Sequence, residues 1–128
     1  MTRRLSLSVA IERWPIAGSF TISRGSKTEA MVVVAELGDG KARGRGECVP
    51  YARYGETVEG VAAAIEALRP RLEAGLDRSG LQAALPPGAA RNALDCAFWD
   101  LEAKATGRSA AELAGLPPLK PLVTAYTI

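Results

Sequence analysis

The spacing of apolar residues changes midway along this chain, and the change falls within residues 44–57, GRGECVPYARYGET. Before this stretch, apolar residues alternate with polar ones, which is the period of a half-buried strand. After it, they recur every three or four positions, which is the period of an amphipathic helix. A run of strands followed by a run of helices predicts an α+β domain, with residues 44–57 as the junction.

Three antiparallel strands with one buried face are predicted in the first half of the chain. The first alternates over residues 5–11 and is expected to end at Trp14-Pro15, because proline lacks an N–H group. Residues 16–27 show no clean period and are expected to form a loop. Residues 28–37 and 41–48 are the next two strands, joined by a Gly-Asp-Gly turn.

A small helical bundle is predicted in the second half. One helix is expected to begin at Thr57 and to end or kink at Pro70. Ala89–Thr106 is the strongest helix, since an apolar stripe runs along it and a glycine follows it. Ser109 and Glu112 have the spacing of a capping box for one more short helix.

The last residues predict the beginning of another domain. Prolines 117, 118 and 121 indicate a stiff linker, and residues 122–128, LVTAYTI, have the composition of a strand. A strand with no partner after it suggests that a second domain starts there. The predicted organisation is therefore residues 1–120 as one domain and 121–128 as the start of the next.

Composition excludes several classes of function. The net charge of the 128 residues is only +2, and no apolar run approaches the length of a membrane span, so neither nucleic acid nor a membrane is predicted as a partner. Cys48 and Cys96 are too few for a disulfide framework, and we expect free thiols, with Cys96 buried, in a cytoplasmic protein. The absence of histidine removes the commonest general base and metal ligand.

The junction carries the candidate ligand-facing side chains. Tyr51, Arg53 and Tyr54 crowd one short loop, and each has an apolar body with a polar tip. Loops between regular elements often carry binding residues. These side chains could equally attach the loop to the domain, and the residues alone leave both interpretations open.

Two charged groups are interpreted as surface features. Lys41, Arg43 and Arg45 fall on one strand face, which we interpret as a solvated face because the charges are few and no aromatic residues interleave them. Asp95 and Glu102 share one face of the long helix, but a metal site needs more ligands than these two.

Three stretches together resemble the N-terminal capping domain of the enolase superfamily. They are residues 19–30, SFTISRGSKTEA, the junction itself, and residues 85–107, LPPGAARNALDCAFWDLEAKATG. The resemblance keeps their order and covers essentially the whole chain. Within the superfamily, the sequence is similar to dipeptide epimerases of the L-Ala-D/L-Glu type in the muconate-lactonizing subgroup.

The resemblance implies an isomerase in which this chain is the lid over a β/α barrel. Such an enzyme inverts the α-carbon of a dipeptide by proton abstraction and return, and it uses Mg²⁺. Its metal ligands and its lysine bases lie in the barrel, so no catalytic or metal-binding residue is implied on this chain. The 128-residue chain alone is expected to be inactive. The implied partners are its own barrel, a dipeptide and a second copy of the protein.

The resemblance also implies which residues face the substrate. Its two lid loops match residues 16–27 and 49–56. An arginine of the first loop grips the side-chain carboxylate of the substrate, and Arg24 is at the matching place. The implied substrate-binding residues, taken from both loops, are Phe20, Ile22, Arg24, Tyr51, Arg53 and Tyr54.

Two alternatives remain at this point. Another member of the subgroup, such as a cycloisomerase, an o-succinylbenzoate synthase or an amino-acid racemase, would share these stretches. A free-standing α+β binding module that uses the loop at residues 51–54 is the alternative from a different class.

Overall fold

A three-stranded antiparallel sheet comes first in the computed structural model, which describes residues 4–23 and 25–128. Its strands are β1 (Ser6–Ile22), β2 (Gly25–Gly38) and β3 (Arg43–Cys48), with β2 in the centre. The helices that follow are α1 (Val58–Glu66), α2 (Arg69–Glu73), α3 (Arg78–Ala84), α4 (Ala89–Thr106) and α5 (Ala110–Leu113). The predicted α+β class, a sheet followed by a small helical bundle, is confirmed.

Helix α4 covers one face of the sheet, and two glycines of β3 determine how closely it packs. Gly44 and Gly46 face α4, and a Cβ atom at Gly46 would overlap the backbone carbonyl of Ala93. A Cβ atom at Gly44 would likewise overlap the backbone of Ala97 and Leu101. The helix backbone therefore lies directly on the strand. The buried residues of α4 are Ala93, Leu94, Ala97, Phe98 and Leu101.

The opposite face of the sheet carries ion pairs. Arg45 of β3 lies 3.0 Å from Glu12 of β1, the other edge strand across β2, and Arg43 lies 3.0 Å from Glu36. All four side chains are partly exposed, so these pairs contribute little stability. Their geometry agrees with the interpretation of Arg43 and Arg45 as part of a solvated face.

The prediction of a loop at residues 16–27 is wrong, because β1 continues to Ile22 and pairs as a hairpin with β2, which begins at Gly25. Trp14-Pro15 does not end β1: Pro15 still pairs with Glu29, and pairing resumes at Phe20 after a register shift. Proline is tolerated here since β1 is an edge strand, which needs only one of its two hydrogen-bonding edges. Gly18, at φ 78°, lies within the shift.

Residues 122–128, which are predicted to be the first strand of a further domain, have no regular secondary structure in this chain. A strand requires a neighbour to accept and donate its backbone hydrogen bonds, and high β propensity does not replace that neighbour. Leu122, Val123, Tyr126 and Ile128 are almost fully exposed.

The helix boundaries follow local capping chemistry. The Thr57 side chain accepts the N–H of Gly60 at the start of α1, as predicted. Helix α1 ends at Glu66, before Pro70, in agreement with the prediction. Pro70 lies in the first turn of α2, where a missing N–H costs nothing. Ser109 and Glu112 form the predicted capping box of α5.

Two acidic residues of α4 contact α3. Glu102 pairs with Arg78 at 3.1 Å, and the Arg78 guanidinium also lies 3.7 Å from the Trp99 ring centroid. Asp95 accepts a hydrogen bond from Gln82 at 3.1 Å. The prediction that Cys96 is buried is wrong, because it lies on the solvent side of α4 and is exposed.

We expect Gly46→Ala to destabilise the protein by about 3 kcal/mol, because the added methyl group overlaps helix backbone that cannot shift alone. Urea unfolding of the purified protein would measure the loss. Gly80→Ala is the control, since its Cβ meets side-chain atoms only, at Leu76 and at the Asp77 cap of α3, and no backbone. Equal losses for both variants would contradict the close packing of α4 on β3.

Candidate functional site

A groove of about 990 Å³ lies between the end of the β1–β2 hairpin and the loop that follows β3. Two segments that are far apart in sequence form its walls. A cleft lined by apolar side chains and a few polar groups is the usual form of a ligand site. Its lining includes Phe20, Ile22 and Lys27 from the hairpin and Val49, Tyr51 and Arg53 from the loop.

The loop wall is built by a tight series of turns. Ala52–Tyr54 form a single 3₁₀ turn, in which the Tyr54 N–H donates to the Tyr51 carbonyl at 3.0 Å. Gly55 ends it at φ 74°, a left-handed conformation that favours glycine. The rings of Tyr51 and Tyr54 are tilted against each other, with centroids 5.6 Å apart. The loop is therefore shaped by its own backbone and ring contacts.

The structure brings four of the six predicted substrate-binding residues together. Phe20 and Ile22 are about half exposed, and they line the groove opposite Tyr51 and Arg53. Their role in binding stays a prediction.

The other two predicted residues are placed differently. Tyr54, with 75% of its surface exposed, lines a second depression of about 710 Å³ with Gly60 and Pro86, on the other side of the loop. Arg24 lies outside the described residues. Binding roles for both remain predictions.

Sequence reasoning missed three charged residues that also line the groove: Lys27, Glu29 and Glu56. Lys27 pairs in register with Phe20, so recognition of the hairpin would have placed it beside the predicted site. The signal for Glu56 is its position directly before the Thr57 cap, where a carboxylate can close the preceding loop.

The carboxylates of the groove already have hydrogen-bond partners. Glu29 pairs with Arg13 at 3.4 Å, and Glu56 accepts backbone N–H groups from Tyr51 and Ala89 at 3.1 and 2.8 Å. Within residues 4–23 and 25–128, no carboxylate lies within ion-pair distance of Lys27 or Arg53. The formal charges of these four lining residues cancel, but Lys27 and Arg53 are available to pair with an anionic group of a ligand.

Cys48 lies at the end of β3, just before the loop, but it is not suited to nucleophilic chemistry. The side chain is buried, and its thiol donates to the Val33 carbonyl at 3.6 Å. Burial raises the pKa of Cys48 to about 11. At neutral pH the thiol is protonated, and the thiolate is the reactive form.

The described residues do not fit a magnesium site. Among residues 4–23 and 25–128, no group of three or more histidine, cysteine, aspartate or glutamate residues could hold a metal ion. Magnesium needs several oxygen ligands in near-octahedral geometry. We therefore assign no metal-dependent chemical step to these residues. In the same part of the chain, no helix combines the length and apolar character that crossing a bilayer requires.

The chain belongs to the family described as mandelate racemase / muconate lactonizing enzyme, N-terminal domain, which it matches over residues 4–115. It is 49% identical to an L-Ala-D/L-Glu epimerase from Escherichia coli (strain K12) over 123 residues, 96% of this chain. It is also 43% identical to an N-acetyl-D-glutamate racemase from Pseudoalteromonas sp over 84 residues, 64% of this chain and 27% of the racemase.

Solved structures agree with this family. An enolase family member from Agrobacterium tumefaciens, with homology to dipeptide epimerases and with bound sodium, L-Ala-L-Glu and an ordered loop, superposes with a TM-score of 0.90 at 57% identity. The match covers 95% of this chain and 37% of that one. A dipeptide epimerase from Methylococcus capsulatus, complexed with Mg and dipeptide L-Arg-D-Lys, has a TM-score of 0.75 at 28% identity. That match covers 88% of this chain and 35% of the epimerase.

The chain spans 38% of the length of the E. coli epimerase. It corresponds to the N-terminal domain of these isomerases, as the resemblance in the sequence implied. The expectation of an enolase-superfamily capping domain is thus confirmed.

We expect the two cysteines to differ sharply in alkylation of the native protein at pH 8.5. Cys96 is exposed and should react with iodoacetamide, although partial desolvation and the Asp95 carboxylate raise the pKa of its thiol. Cys48, with a pKa of about 11, should stay unmodified until the protein is unfolded. Mass spectrometry of the digested protein measures both, and rapid native labelling of Cys48 would contradict its burial.

Proposed function

We propose that the protein containing this chain is a Mg²⁺-dependent dipeptide epimerase, and that this domain is its substrate-facing lid. The reaction removes the α-proton of one residue of the dipeptide and returns a proton to the opposite face. In this proposal the substrate carries a carboxylate side chain, as in L-Ala-L-Glu. Residues 1–120 form the lid, and residues 121–128 begin the β/α barrel that supplies the bases and the metal ligands.

The availability of two cations in the groove is the observation that carries this proposal. Lys27 and Arg53 line it, while Glu29 and Glu56 are already bonded to other groups. A carboxylate that enters from a dipeptide would find cations that are not committed elsewhere. The relatives support the same substrate class: the E. coli protein acts on L-Ala-D/L-Glu, and the Agrobacterium structure holds L-Ala-L-Glu.

The division of chemistry between the two domains also supports the proposal. Removal of a proton next to a carboxylate needs bases on rigid elements and a group, such as a metal ion, that stabilises the developing enediolate. The described residues provide neither a metal site nor a histidine, whereas they do provide an open groove for binding. Recognition is therefore the part of the reaction that we assign to this domain.

A second candidate is racemisation of an N-acylated glutamate. The 43% identity to the N-acetyl-D-glutamate racemase favours it, and such a substrate has the same side-chain carboxylate. The two candidates differ in what occupies the amino side of the glutamate. Assays of the full-length protein with L-Ala-L-Glu and with N-acetyl-glutamate, followed by α-proton exchange in deuterated water, distinguish them.

We further propose a cytoplasmic protein that self-associates. Both cysteines are free in the structure, which supports a reducing compartment. Leu119, Leu122 and Tyr126 are exposed apolar residues, which favour association of the isolated chain and which the proposed barrel would cover in the whole protein.

We expect Arg24→Ala in the full-length enzyme to lower kcat/KM for Ala-Glu by about a hundredfold, since a carboxylate in a closed site loses a charged partner worth about 2–4 kcal/mol. Ala-Leu should be affected little, because it offers no carboxylate. Arg24→Lys should recover part of the loss, as an ammonium lacks the bidentate fork. Steady-state kinetics with both dipeptides measure the effect.

Lys41→Ala serves as the control for Arg24→Ala, because Lys41 lies in the turn before β3 and does not line the groove. An equal loss for Ala-Glu and Ala-Leu in Arg24→Ala would assign Arg24 to loop closure. No effect on either dipeptide would mean that Arg24 does not contact the substrate.

We expect the isolated 128-residue chain to show no epimerase activity, because the proposed bases and metal ligands are not among its residues. Proton NMR of Ala-Glu in deuterated water, with the chain and Mg²⁺ added, should show no exchange at the α-carbon. The full-length protein at the same concentration is the positive control. Exchange that grows with the concentration of the isolated chain would contradict the proposed division of chemistry.

A further inference from the structure

Glu56 makes two contacts that close the groove loop on itself. Its backbone N–H donates to the Tyr51 carbonyl at 3.3 Å, and its side-chain Oε1 accepts the Tyr51 N–H at 3.1 Å. Both backbone polar groups of Tyr51 are thus bonded to the same residue. Residues 51–56 form a ring in which the position of Tyr51 depends on Glu56.

The second carboxylate oxygen of Glu56 reaches a different element. Oε2 accepts the N–H of Ala89, the first residue of α4, at 2.8 Å. The first N–H groups of a helix have no partner within it, and they carry partial positive charge. Gly88, the N-cap residue of α4, makes no side-chain cap, so Glu56 supplies this acceptor from 33 residues away.

The attachment to α4 makes this contact more than a local turn. Helix α4 packs backbone to backbone on β3 through Gly44 and Gly46. A loop bonded to the start of that helix is held relative to the buried core of the domain. Val49, Tyr51 and Arg53, which line the groove, therefore have a fixed base through Glu56.

We propose that Glu56 is a positioning residue, which holds the loop at residues 51–55 against α4 so that Tyr51 and Arg53 face the groove. It acts on the substrate through these two side chains. The effect on catalysis rests on the proposed function, whereas the bridge between loop and helix does not depend on it.

Substitutions of Glu56 distinguish the effect of its bridge, the pair of hydrogen bonds to Tyr51 and Ala89, from the effect of its charge. Glu56→Gln keeps the size of the side chain but offers one oxygen and one NH₂ group to two N–H donors, so one donor loses its partner. Glu56→Asp keeps two acceptor oxygens but is one methylene shorter, and we expect an intermediate effect. Glu59→Gln is the matched control, because Glu59 is exposed in the first turn of α1 and makes the same charge change.

The test uses the full-length protein and two measurements. Hydrogen–deuterium exchange in Glu56→Gln should be about tenfold faster than in wild type at one of the two amides, Tyr51 or Ala89, because one of the two protecting bonds is lost. Steady-state kinetics with Ala-Glu should show KM raised about tenfold and kcat changed less than twofold, since loop contacts act on substrate and transition state alike. Glu59→Gln should change neither.

Three results would overturn the inference or separate it from the proposed function. Unchanged exchange in Glu56→Gln would overturn the bridge. Faster exchange with unchanged KM, or with a parallel fall in kcat and melting temperature, would reduce Glu56 to a structural role. A wild-type protein that does not turn over dipeptides would overturn the proposed function alone. The effects of Glu56→Gln on KM and on kcat are then measured with the amino-acid derivative that the wild type does convert.

Discussion

The packing of α4 on β3 is possible only because two positions of the strand have no side chains. Gly44 and Gly46 point toward the helix, and the helix presents Ala93 and Ala97 in return. Small residues on both sides bring backbone onto backbone, which leaves no room for even one methyl group at Gly46. The larger side chains that complete the core, such as Leu94 and Leu101, pack around this contact. The position of α4 is therefore determined by β3 and not by adjustable side chains.

This constraint reaches the groove in two short steps. The fixed position of α4 fixes its first N–H groups, including that of Ala89, and Glu56 binds there. Glu56 in turn binds both backbone groups of Tyr51. The loop wall of the groove is thus connected to the centre of the domain by hydrogen bonds, although Arg53 and Tyr54 are exposed. A loop that must present side chains to a ligand gains precision from such a connection.

The sequence was sufficient for features that depend on local chemistry. The limits of α4, the Thr57 cap and the Ser109–Glu112 capping box all follow from residues close to each other in the chain, and the structure has them as predicted. Features that depend on distant residues were missed. Pro15 indicates a strand end unless β1 is known to be an edge strand, and the sequence does not show that. Glu56 looks like an ordinary loop charge, because its partner Ala89 is distant in the sequence.

The walls of the groove differ in how they are held, and under the proposed function this difference bears on substrate selection. The loop wall is bonded to α4, whereas the hairpin wall extends beyond the register shift between Pro15 and Phe20. Phe20 and Ile22 are about half exposed there, so few core contacts constrain which residues this segment carries. Substitutions on the hairpin can change the charge or size of the groove without disturbing the packing of α4 on β3. In the proposed lid, one wall is anchored to α4 and the other is held by strand pairing with few core contacts, so the lid can acquire new side-chain specificity at little cost in stability.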